Sequence, residues 1–104
     1  MIAVMFEVEM REGRADRYFE LAAMLRREAE AIPGFISVER FESLSRPGRY
    51  VSLSFWEDLA AVDRWRAHAR HRAAQEEGKE SIILDFRIRV AEVVRDYTLA
   101  DRTR

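Results

Sequence analysis

The feature that most constrains this chain is its hydrophobic period, which switches between two and about 3.6 residues along its length. Residues 2–10 alternate, with Ile2, Val4, Phe6, Val8 and Met10 on one side and Glu7 and Glu9 on the other, as in a half-buried strand. Gly13 punctuates. Residues 14–32 then place Tyr18, Leu21, Ala22, Leu25, Ala29 and Ile32 at helical spacings, and Pro33-Gly34 stops that helix. Residues 35–45 and 49–57 read as strands joined by the polar turn Ser45-Arg46-Pro47-Gly48. Asp58 stands where an N-cap belongs, because its carboxylate accepts from free amides of a first turn. Leu59, Val62 and Trp65 follow at three-residue steps, and broken helical character runs to Gln75, closed by Glu76-Glu77-Gly78-Lys79. Residues 81–95 alternate again, with Ile82, Leu84, Phe86, Ile88 and Val90 opposite Asp85, Arg87 and Arg89. Residues 1–97 thus form one domain, and a polar tail expected to be loose occupies 98–104.

The order β-α-β-β-α-β predicts a ferredoxin-like α+β sandwich, with both helices on one face of an antiparallel sheet. The other face is expected to carry Met5, Phe35, Phe41, Val51, Leu53, Phe55 and Ile83. Such a patch exceeds what monomers usually expose, so a homodimer through this face is predicted. The last strand, near 15 residues, is long enough for its far end to cross to the partner. Arg87 and Arg89 would lie on that partly buried face, paired with Asp85, Glu7 and Glu9.

Charge and composition exclude several functions. Eighteen Lys and Arg against 19 Asp and Glu leave a net charge of -1, with no field to draw in nucleic acid or anionic lipid. With no cysteine, there is no disulfide, thiolate metal site or cysteine nucleophile. The opening MIAVMFEVEM has no basic region and carries Glu7 within its apolar run, unlike a signal peptide. No run approaches the ~18 apolar residues of a membrane span. A cytoplasmic domain is expected.

Residues 55–78, FWEDLAAVDRWRAHARHRAAQEEG, concentrate what chemistry the chain can offer. Trp65, His68, His71 and Gln75 follow one another at steps of three, three and four, along one strip of helix. Imidazole is the natural general base near neutral pH. Trp65, on the Val62 face, points toward the sheet as core filler or pocket wall. Trp56 anchors the junction of strand and helix. Gln75 is either a solvated helix end or an amide that orients a carbonyl. No carboxylate stands at a spacing that completes a triad, and two histidines are too few for a structural zinc site.

With PGF at 33–35, SFW at 54–56, WRAHARHRAAQ at 65–75 and FRIRVAEVVRDY at 86–97, the chain resembles the antibiotic biosynthesis monooxygenase domain of the dimeric α+β barrel superfamily. The resemblance implies a dimeric α+β barrel and cofactor-independent monooxygenation. A small quinol or polycyclic phenol is deprotonated, and its anion hands an electron directly to dioxygen. His71 or His68 would take the proton, Trp65, Phe55 and Trp56 would shape the pocket, and Gln75 would orient the substrate. The partners implied are a second copy, a small aromatic molecule and dioxygen, with no metal or other cofactor, nucleic acid or membrane. Haem-degrading relatives offer an alternative. They carry an asparagine in the first strand, a tryptophan early in the second helical region and a histidine about ten residues later. Here Phe6, Trp65 and Gln75 stand at those places, so two of the three parts differ. A non-catalytic dimer that binds an aromatic metabolite is the third reading.

Overall fold

The computed structural model describes residues 1–75 and 82–102, with residues 73–75 and 102 as backbone only. Four strands, β1 (Ile2–Met10), β2 (Phe35–Glu42), β3 (Arg49–Trp56) and β4 (Ile83–Glu92), form one antiparallel sheet in the order β2-β3-β1-β4. Helices α1 (Ala15–Glu30) and α2 (Leu59–Gln75) form the second layer of this ferredoxin-like α+β fold. A short α3 (Leu99–Arg102) stands where a loose tail was expected, and the Thr98 amide and hydroxyl both donate to Asp101 Oδ2 at its start.

Local chemistry sets where α2 begins. Asp58 Oδ1 accepts the Ala61 amide at 2.9 Å, satisfying one of the free donors of the first turn. The Pro33-Gly34 turn is joined to this region twice, because the Glu57 amide donates to the Gly34 carbonyl and Arg64 donates to the Pro33 carbonyl, each at 2.8 Å. Leu59, expected on the buried stripe, is exposed; Ala61, Val62 and Trp65 form that stripe instead.

The helix-facing side of β1 is the expected one. Ile2, Val4, Phe6, Val8 and Met10 pack with residues of α1, α2 or both. On β3 the same side carries Tyr50, Ser52, Ser54 and Trp56, which stand opposite Val8, Phe6, Val4 and Ile2. Two residues change sides relative to the sequence reading. Phe35 packs into the helix-facing core because the register shifts between Phe35 and Ser37, and Ile83 does so because it shifts again where Ile83 faces Met10. One extra residue inverts the alternation beyond it. The outer face therefore carries Met5, Phe41, Val51, Leu53 and Phe55, together with charged residues that include Glu7, Glu39 and Arg89. There Glu7 takes both Arg89 (3.0 Å) and Arg49 (3.3 Å).

Candidate active site

Domains of this size usually hold one contiguous core. Here the buried residues fall into two clusters. Ile2, Ala29, Trp56, Ala61 and Val62 lie toward one end of the sheet, and Val8, Tyr18 and Ile82 toward the other. Between them the helix-facing Val4, Phe6 and Ser52, at the middle of the sheet, are only half-buried. At the start of β4, Ile83 packs into the second cluster, but the residues further along are exposed. Phe86, Ile88 and Val90, which continue the row of Val8, Phe6 and Val4, are 57%, 53% and 50% exposed. The result is an apolar trough that runs from the gap between the clusters across β4, with the Phe6 and Phe86 rings 5.9 Å apart in its floor.

An aromatic ladder leads from the core to α2. Phe35 meets Trp56 edge-on at 5.3 Å, Trp56 stacks on Trp65 at 6.0 Å, and Trp65 stacks on His68 at 5.6 Å. Trp56 is fully buried, and its indole N–H donates to the buried Ser54 hydroxyl at 2.9 Å. It therefore underlies Trp65 and lines no open surface, in contrast to the pocket role expected for it. Trp65 and His68 are half-buried. His68 Nε2 lies 2.8 Å from Glu28 Oε1 of α1, and the same oxygen takes Arg72 Nε at 3.1 Å.

Glu28 is the partner that sequence reasoning missed. It sits 40 residues before His68, on the neighbouring helix, a separation that no local spacing along α2 reveals. One signal was present. Leu21, Leu25, Glu28 and Ile32 form one helical stripe, and an acid interrupts that apolar row. His71 is exposed, one turn beyond His68. The Gln75 side chain lies outside the described residues. Phe55 faces Leu53 and Val51 on the outer side of the sheet, so it shares no pocket with Trp65 within one chain. It lines instead an open groove of about 370 Å³ with Met1, Ile36 and Val93, where Arg95 and Asp96 are the charged groups. That groove holds none of the residues suited to proton transfer near neutral pH.

Among the described residues, Tyr18 is a titrating group that its surroundings clearly alter. Burial pushes its phenol above the usual 10.0, against a smaller opposing effect of Arg40, whose guanidinium lies over its ring at 5.7 Å. Among the described residues, no three His, Cys, Asp or Glu side chains come together as a metal site. No described helix is long and apolar enough to cross a membrane.

A family model described as antibiotic biosynthesis monooxygenase matches residues 1–77. The chain is 44% identical over 93 residues to a jasmonate monooxygenase ABM of Pyricularia oryzae, an alignment covering 89% of this chain and 43% of that protein. This chain thus spans less than half the length of that relative. It is 33% identical over 86 residues to the uncharacterised protein YqjZ of Bacillus subtilis, covering 83% of this chain and 74% of the other. The structure of the haem degrader MhuD from Mycobacterium tuberculosis, with two haems in its active site, aligns with a TM-score of 0.72 at 19% identity. That alignment covers 94% of this chain and 100% of the other, a likeness of fold.

Proposed function

The chain belongs to the antibiotic biosynthesis monooxygenase family, and on that premise we propose that it oxidises a small apolar molecule with dioxygen at the trough beside Trp65 and His68. The observation that carries this reading is a half-buried imidazole, stacked on an indole and bonded to a carboxylate, in a domain whose helix-facing sheet side leaves an apolar row exposed. The substrate class that suits these groups is an electron-rich quinol or polycyclic phenol. The indole and the floor hold the ring, and the imidazole removes a proton from its O–H or activated C–H. The anion passes one electron to dioxygen, the radical pair combines at carbon to give a hydroperoxide, and loss of water leaves a carbonyl. Two hydrogens of the substrate and one oxygen atom leave as water, and the other oxygen atom stays in the product. The floor keeps water from the anion, and His68 returns its proton to the departing oxygen.

His68, rather than the His71 placed beside it by the sequence reading, is given the role of base. A second copy packed on the outer face belongs to the same proposal, because Val51, Leu53 and Phe55 there are only half-buried among the described residues. Haem degradation ranks second. The likeness to MhuD favours it, whereas Phe6 and the commitment of His68 Nε2 to Glu28 weigh against it.

Oxygen uptake by purified protein tests the reading, against hydroquinones, naphthoquinols, anthrones and jasmonate, with autoxidation subtracted. His68→Ala is expected to lower uptake at least about tenfold, or about 1.4 kcal/mol of barrier, and His71→Ala less than about twofold. Equal rates in wild type and His68→Ala would remove His68 from the chemistry. Uptake that appears only after haem is added would transfer the weight to the second reading.

A further inference from the structure

We infer that Glu28 is a positioning residue for His68, fixing the tautomer and the in-plane orientation of its ring. The inference rests on the reading of His68 as the base and extends it to the helix seam. Stacking on Trp65, at an interplanar angle of 23°, sets the plane of the imidazole but leaves it free to turn within that plane. A hydrogen bond to one ring nitrogen removes that freedom. The Glu28 carboxylate, when ionised, only accepts, so the 2.8 Å contact places the ring hydrogen on Nε2. Nδ1 then bears the lone pair and is the nitrogen that receives a substrate proton. When it does, the donor of the Nε2–H···Oε1 bond is charged as well as the acceptor and the bond strengthens, so Glu28 favours the protonated ring that the oxidation step requires.

Arg72 completes the device. Its guanidinium, permanently charged, meets the same Glu28 oxygen at 3.1 Å and the Met24 sulfur at 2.9 Å. It holds the carboxylate from the α2 side, one turn beyond His68. The charged and titratable groups identified at the ring are thus Glu28 from α1 and Arg72 from α2, with Trp65 against its face. An acid in the apolar stripe of α1 costs packing and desolvation, and a purely structural seam is better served by leucine. Its place opposite the half-buried histidine is what a tautomer lock requires.

The 104-residue chain has two histidines, so ring-nitrogen NMR of this chain, uniformly labelled, yields two imidazole patterns, and His71→Gln assigns them. At pH about 8.5, above the usual imidazole range, His68 is expected as the Nε2–H tautomer. In Glu28→Gln, whose amide both donates and accepts, a mixture or the Nδ1–H form is expected. The kinetic counterpart is a fall in kcat of at least about tenfold with KM changed less than about twofold, and Glu28→Asp should recover part of it. Melting temperatures of both variants near wild type would separate this effect from misfolding. An Nδ1–H tautomer in the wild type, or Glu28→Gln with unaltered tautomer and kcat, would overturn the inference. The NMR signature is read without substrate, so its failure is distinct from a failure of the panel to show any oxidation.

Discussion

At Gly34 the backbone holds φ at 94°, and a Cβ built there would fall 2.5 Å from the Ala61 Cβ. The turn that ends the first helical unit therefore touches the first turn of α2 with no room for a methyl group. Gly34→Ala meets both penalties, a left-handed φ and a backbone-anchored clash. It is expected to lower stability by more than about 1 kcal/mol, read as a lower urea midpoint at unchanged slope. Tyr18 gives a residue-scale prediction of opposite chemistry. Its buried phenol titrates above the usual 10.0, so the folded chain holds that proton more tightly than the unfolded one. The associated stability is complete below pH 10.0 and is lost as pH rises through the raised value. Melting temperatures of wild type should therefore fall faster above pH 10 than those of Tyr18→Phe, which has no proton to lose there.

Among the elements, those with a clean period were legible and those with a bulge were not. β1 alternates without interruption and shows its faces directly, and α2 starts at the Asp58 cap that its sequence announces. Asp58→Ala should accordingly cost about 1 kcal/mol of stability by denaturant unfolding, while leaving the His68 tautomer as it is. Phe35 and Ile83 were placed on the wrong side because each precedes a register shift. A bulge is decided by pairing with the neighbouring strand and has no signature in the strand's own alternation. The site shows the same division. Trp65 and His68 share a strip because helical spacing is local, whereas Glu28 meets His68 only because two antiparallel helices pack side by side. The ladder through Trp56 was hidden for a similar reason, since it depends on how a strand end and a helix face are juxtaposed.

Over the whole molecule two apolar surfaces remain, on opposite sides of one sheet, and the proposed dimer and the proposed substrate site divide them. The outer face has Met5, Leu53, Val51 and Phe55 on its central strands, and Glu7 there is paired with Arg49 and Arg89. Buried charges are tolerated in an interface only when paired, which suits this face to a second copy. The trough face has the exposed row of Phe86, Ile88 and Val90, which the proposal sets beside His68. The C-terminal segment adds Val94, Tyr97 and Leu99, all exposed. Two aspartate substitutions separate these roles. Leu53→Asp buries a charge in the proposed interface and should convert the dimer, twice 12.2 kDa by light scattering, to monomer or aggregate. Ile88→Asp alters the trough floor instead, and should keep the dimer while weakening turnover of an apolar substrate. If Leu53→Asp stays dimeric and Ile88→Asp becomes monomeric, the second copy sits on the trough face, and the site beside His68 would then be built between two chains.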